Sequence, residues 1–223
     1  MSAGGHDIEE TGKPKGVSAI RNWPFPSPST LMQQLRAHIL SAHPQVGDTV
    51  FVAIDGHGGS GKSTLAMLLG DALGASVIHT DEFASVDTPL DWWPKVIEQV
   101  FRPIGDGATT ITYQPTSWGN NHHPHPVVKP VTPIMILEGV SSSRSEFADH
   151  IGFRIFVDTP KATCLQRGVA RDSAYGKSKK EIAEIWEGWF AEEDEYFQRD
   201  DPKTKSDLIL DGTKPFETQI LNV

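Results

Sequence analysis

Four groups of residues in this chain have the types and spacing to move a phosphoryl group. The run Gly56-His57-Gly58-Gly59-Ser60-Gly61-Lys62-Ser63 fits G-x-x-x-x-G-K-[ST], a loop whose backbone N–H groups wrap a nucleoside triphosphate. Glycines let the main chain approach the phosphates closely. In such a loop Lys62 reaches the β- and γ-phosphates and the Ser63 hydroxyl sits on Mg²⁺. The nucleotide-binding set is then Gly56, Gly58, Gly59, Ser60, Gly61, Lys62, Ser63 and Thr64. The second group is His79-Thr80-Asp81-Glu82-Phe83. A carboxylate there could accept the proton of an attacking hydroxyl, or hold magnesium through water; Asp81 is the expected base and Glu82 the reserve. The third is Ile134-Met135-Ile136-Leu137-Glu138-Gly139, where Glu138 can join a magnesium shell or orient a water. The fourth holds Arg167 and Arg171, four apart and so on one helix face. Two guanidinium groups there could close over a triphosphate and stabilise the transferring charge.

These groups need a frame. Thr49 to Asp55 reads as a buried strand running into the glycine loop, and Thr64 to Leu69 as a helix leaving it, which aims a helix N-terminus at an anion. Further strands are expected at Ser76–His79, Ile134–Leu137, Phe153–Val157 and Asp207–Leu210. Helices are expected from a Thr30/Gln33 capping box with Leu31, Leu35 and Ile39 on one face, from Asp91 to a stop before Pro103, from Pro160 to Arg171, and from Ser178 to about Phe197. Alternating strands and helices predict an α/β fold, a doubly wound, mainly parallel five-stranded sheet with helices on both faces. Ligands of such sheets bind at the carboxyl ends of the strands, where each motif falls.

Bulk properties narrow the function classes. The 223 residues suffice for one domain, 30–223, behind an expected flexible tail, 1–29, rich in Gly, charge and Pro. Trp23 and Phe25 of that tail could pack on the domain surface. A formal charge of −9 argues against a duplex nucleic-acid binder. Cys164 is the single cysteine, so no intramolecular disulfide forms. No apolar run is long enough to span a membrane and the N-terminus has no signal pattern, so a cytoplasmic enzyme with no membrane or nucleic-acid partner is expected.

Other features are read as follows. Three histidines in Asn120–Pro126 invite a metal, but the prolines fix no tetrahedral geometry, and a flexible or acceptor-binding loop is expected. Trp92, Trp93, Tyr113 and Trp118 either stack on an aromatic acceptor or form core. Trp186, Trp189, Phe190 and Phe197 are expected to pack a long helix on the sheet. Glu192 to Glu195 reads as a solvated face, and His57 as a position without a special role.

Taken in order, Gly-x-x-Gly-Ser-Gly-Lys-Ser, a strand ending in Asp-x-Phe, a strand ending in Glu-Gly and an Arg-x-x-x-Arg-Asp segment resemble the uridine kinase and phosphoribulokinase group of P-loop kinases, from about Thr49 to Gly212. The resemblance implies ATP- and Mg²⁺-dependent transfer of a γ-phosphoryl group to a hydroxyl of a small molecule, such as a nucleoside. It implies Asp81 as catalytic base, Lys62 and Ser63 as phosphate and magnesium residues, Glu138 as the acid after its strand, and Arg167 and Arg171 as a lid near 167–178. An acceptor-binding insert falls near 86–130. The chain departs from uridine kinases at Ala84, where an aromatic is usual, at Thr116-Ser117, where a Tyr-Asp pair is usual, and at Tyr175-Gly176-Lys177, where an Arg-Gly-Arg type run is usual. The phosphoryl-transfer residues are kept while the acceptor site is altered. A nucleotide switch hydrolysing ATP or GTP, or a nucleotide-binding protein without an acceptor, are the other readings.

Overall fold

The computed structural model describes residues 30–85, 90–116, 125–173 and 178–219. The expected tail with Trp23 and Phe25, Trp118, His122 and His123, and Tyr175 to Lys177 lie outside them. The chain carries strands β1 (Val50–Asp55), β2 (Ser76–His79), β3 (Thr110–Tyr113), β4 (Val127–Pro130), β5 (Ile134–Glu138), β6 (Phe153–Asp158) and β7 (Leu208–Asp211). Five of them form one parallel sheet in the order β2-β5-β1-β6-β7. β1 and β5 are buried at every residue, which their unbroken apolar sequence requires of strands covered on both faces.

Side chains alternate along β1, so one strand feeds two cores. Val50, Val52 and Ile54 face helix α1 (Thr30–Ser41) and helix α2 (Lys62–Leu73), where Leu31, Leu35, Ile39, Leu65 and Leu69 meet them. Phe51 and Ala53 face the opposite way, toward Trp92, Val96, Val100, Phe101 and Phe147. A third, smaller cluster of Cys164, Ile182, Trp186 and Phe190 joins α5 (Lys161–Asp172) to α6 (Lys179–Asp200). Ser178 and Glu181 cap α6 reciprocally, as the sequence predicts. Within the described residues no helix is long and apolar enough to cross a membrane.

Two segments differ from the sequence-based expectation. Helix α3 (Trp93–Val96) starts from Trp92, not from an Asp91 side-chain cap, and it does not stop before Pro103. A π-helical turn, Ile97–Phe101, follows and leads into α4 (Arg102–Gly105), with the Arg102 N–H reaching back to Ile97 O. The wider turn moves the carbonyls that the proline ring would strike, and Pro103 falls in the first turn of α4, where no donor is required. The second difference is an antiparallel hairpin of β3 and β4 inside the expected insert. Its signal is the alternation Thr-Ile-Thr-Tyr, with Ile111 and Tyr113 buried and the threonines exposed.

Candidate active site

The glycine loop joins the carboxyl end of β1 to the N-terminus of α2. Gly56 and Gly59 adopt φ of 138° and 77°, a region that L-residues rarely enter. A Cβ on Gly56 would also lie 2.5 Å from Val157 O, and one on Gly59 would lie 2.6 Å from Cys164 O. The end of β6 and the start of α5 thus support the loop from behind. Thr159 adds to this, donating its hydroxyl to Ser60 O at 2.9 Å. Lys62 is 6% exposed and donates Nζ to His57 O at 2.8 Å. It is held at the base of the loop.

β5 brings Glu138 to the same point. The Ser63 hydroxyl donates to Glu138 at 3.1 and 3.3 Å to its two oxygens. His79, from the end of β2, lies 2.5 Å from Glu138 Oε1 through Nδ1. Burial pushes the Glu138 carboxyl up, but the His79 hydrogen bond, Lys62 and Ser63 together outweigh it and hold it below the ordinary carboxylate range. The same hydrogen bond raises the His79 imidazole against the effect of burial. A hydroxyl and an ionised carboxylate side by side are hard oxygen donors. They suit Mg²⁺, which keeps most of its shell as water and substrate phosphate rather than a full protein cage. No group of three or more His, Cys, Asp or Glu placed to hold a metal occurs among the described residues.

Asp81 stands just past β2 in a short 3₁₀ turn, Thr80–Glu82. Asp81 is exposed as a residue, while the neighbouring protein still partly desolvates its carboxyl. That desolvation raises its pKa; Lys62 opposes the shift, Glu138 adds to it, and His79 and Arg171 oppose it. Asp81 is thus electrostatically coupled to Lys62, Glu138, His79 and Arg171. Glu82 is drawn elsewhere: Tyr113 donates its hydroxyl to Glu82 Oε2 at 2.5 Å, and Glu82 O accepts the Thr116 N–H at 2.7 Å. Trp92 and Tyr113 are 1% and 2% exposed, so they are core and not an acceptor-stacking surface.

Arg167 and Arg171 project from α5 onto a cleft of about 620 Å³ between the glycine loop, α2 and the segment after β7. Arg167 donates to Ser60 O at 3.3 Å and to Gly212 O at 3.0 Å, bracing the loop against the end of the sheet. Arg171 pairs with Asp172, Nε to Oδ1 at 2.7 Å, and its guanidinium lies 5.4 Å from the centre of the Trp186 ring.

Several participants escaped the sequence reading. Asp55, fully buried, accepts N–H groups from Gly56, Ser141 and Ser143 and the Tyr196 hydroxyl. It ties the glycine loop to the turn after β5, and burial raises its pKa despite those donors. Its place as the last residue of an apolar strand was a signal. Residues Gly212 to Glu217 form the far wall of the cleft, and Gly212-Thr213 gave no recognisable pattern. Arg144, 2% exposed, is paired with Glu146 and lies 5.5 Å from the Trp93 ring centre. Glu193 corrects the reading of Glu192 to Glu195 as a solvated face: it is 6% exposed and bonded to the glycine loop. His57 is corrected with it, since its Nδ1 lies 2.7 Å from Glu193 Oε2.

The architecture is shared with solved kinase structures. A possible uridine kinase from Bacillus stearothermophilus superposes with TM-score 0.56 at 20% identity, covering 81% of this chain and 97% of that one. A protein described as a candidate fructose transport system kinase from Silicibacter sp. TM1040 superposes with TM-score 0.59 at 19% identity, covering 83% and 100%. No protein-family model matches the chain and no curated protein matches its sequence. The chain therefore shares with these two structures its fold, an α/β architecture on a five-stranded parallel sheet.

Proposed function

We propose that this protein is an ATP- and Mg²⁺-dependent kinase that transfers the γ-phosphoryl group to a hydroxyl of a small molecule. The observation that carries the reading is the convergence of Lys62, Ser63, Glu138 and Asp81 at the carboxyl ends of three neighbouring strands. A hydrolytic switch needs no base aimed at an acceptor, and Asp81 is such a base.

Each residue then has a task. The amides from Gly59 to Thr64, with Gly56 and Gly58 shaping the turn, cradle the phosphate chain. Lys62 leaves His57 O and binds β- and γ-phosphate oxygens. Ser63 and Glu138 hold the magnesium and its water shell; Mg²⁺ supplies neutralisation of charge on the β- and γ-phosphate oxygens. Asp81, its pKa raised by desolvation toward that of a useful base, accepts the proton of the acceptor hydroxyl as it attacks. Arg171 closes over the transferring group, while Arg167 keeps the glycine loop in place from the same helix face. The acceptor lies between Asp81, Trp93 and the insert around 86–130. The missing Tyr-Asp pair at Thr116-Ser117 leaves its identity to experiment, a nucleoside or another ribosyl-like alcohol being the first class to try.

The test is ADP formation by the purified protein with Mg²⁺ across a panel of nucleosides and small alcohols, with mass spectrometry of the products. Acceptor-dependent ADP formation and a phosphorylated product are expected. ADP formation indifferent to every acceptor would replace the kinase with a nucleotide hydrolase.

A further inference from the structure

We infer that α6 positions both walls of the nucleotide site, Glu193 by orienting the glycine loop and Trp186 by orienting Arg171. The inference rests on the kinase reading above and deepens it. Trp186 and Glu193 are seven residues apart on α6, two turns, and so share one face.

Glu193 is a buried carboxylate, and such a group persists only with partners. The Gly58 N–H donates to it at 3.1 Å from Oε1 and 3.3 Å from Oε2, and His57 Nδ1 lies 2.7 Å from Oε2. Phe190 and Phe197 flank the His57 ring edge-on at 5.6 and 4.5 Å between centres. The first half of the loop is thereby fixed to α6. His57 O, which receives both Lys62 Nζ and the Ser60 N–H, is fixed with it. Glu193 touches no reacting atom; it sets where the phosphate-binding amides and Lys62 start from.

Trp186 acts on the other wall. Its ring packs against two glycines: a Cβ on Gly58 would come within 3.0 Å of it, and one on Gly168 within 2.3 Å. The indole N–H donates to Asp172 Oδ2 at 2.9 Å, and Asp172 Oδ1 accepts from Arg171 Nε at 2.7 Å. The Arg171 guanidinium also rests over the same ring. Asp172 and the indole together decide where the guanidinium hangs in the cleft. One rigid helix therefore sets the distance between the loop that holds the β-phosphate and the arginine that meets the γ-phosphate.

Binding of two probes, each with Mg²⁺, separates the two tasks without an acceptor: ADP and the non-hydrolysable β,γ-imido analogue of ATP. Glu193→Ala weakens both probes alike, by about 10-fold or more. Glu193→Gln restores much of that loss, because an amide oxygen still accepts the Gly58 N–H. Trp186→Phe keeps an aromatic ring but loses the indole donor; it leaves ADP affinity within about threefold while the preference for the imido analogue over ADP falls about 10-fold. Thermal melts establish that each variant is folded, and Glu193→Leu, which keeps the volume but offers no acceptor and is expected to weaken both probes equally, serves if Glu193→Ala is not. A folded Glu193→Ala that binds both probes as the wild type does would overturn the first assignment. A Trp186→Phe with unchanged preference, or with equal loss of both probes, would overturn the second. A wild type that binds neither probe would bring down the kinase reading itself, a result distinct from either.

Discussion

Lys62 has one observed partner at its amine, a backbone carbonyl of its own loop, and that carbonyl cannot replace it in holding a phosphate. Lys62→Ala is expected to lower kcat by about 10²-fold or more, as loss of one charge-stabilising donor does elsewhere, measured by ADP release with a productive acceptor. Asp81→Asn should slow transfer by about 10²–10⁴-fold, the usual worth of a positioned base, while binding of the imido analogue is spared. The sign of the pH effect follows from the raised Asp81 pKa. The base form is lost as pH falls through that pKa, so kcat/KM declines on the acid side at a higher pH than an ordinary aspartate would give. The acid limb disappears in Asp81→Asn. The same desolvation penalises the ionised form in the folded protein, so its folded pKa exceeds its unfolded one. That contribution to stability is present at low pH and lost as pH rises through the folded pKa. At neutral pH the asparagine variant should have a denaturant midpoint at or above that of the wild type, and a clear fall would exclude strain at this carboxylate.

Helix α5 meets α6 at Gly168, where a Cβ would fall 2.3, 2.4 and 2.6 Å from three atoms of the Trp186 ring. Alanine is intrinsically the better helix former by about 1 kcal/mol, yet overpacking a fixed aromatic ring costs about 1–3 kcal/mol. Overpacking wins, because the ring is buried, packs closely on Gly58 as well and is held by its hydrogen bond to Asp172. Gly168→Ala should lower the urea midpoint of unfolding. The same contact explains what the sequence disclosed and what it hid. The sheet strands were legible because most of them are runs of apolar residues ending at a polar break, and the glycine loop was legible because its chemistry is local. Glu193 was hidden because an acidic run on a helix has the same pattern whether it meets water or a loop 135 residues away in the chain. The π turn was hidden because Pro103 reads locally as a stop, and only the packing of Val100, Phe101 and Ile104 into one core makes it worth continuing the helix. The hairpin of β3 and β4 was within reach, since Thr-Ile-Thr-Tyr alternates as a half-buried strand must.

The cleft as a whole is built from the glycine loop, the start of α2, α5 and residues 212–217. A ligand that spans these segments binds the folded chain and has nothing to bind in the unfolded one. At a concentration about 100 times its dissociation constant such a ligand adds about 2.7 kcal/mol of stability, a rise in melting temperature of about 5–10 °C for a domain of this size. Mg²⁺ with the imido analogue is expected to give that shift in a thermal melt, and chelation of the metal is expected to remove most of it, because Ser63 and Glu138 then face the phosphates without a cation between them. A shift that survives chelation would mean that the phosphates are held without the metal.

β7 is the outermost strand of the sheet and pairs with β6 alone, yet the turn that follows it is the far wall of the nucleotide cleft. Arg167 reaches Gly212 O, and a Cβ on Gly212 would strike Ser60 O at 2.3 Å. A ribosome makes the glycine loop early and this wall late. A growing chain therefore carries a complete phosphate-binding signature long before it has a complete place to put a nucleotide.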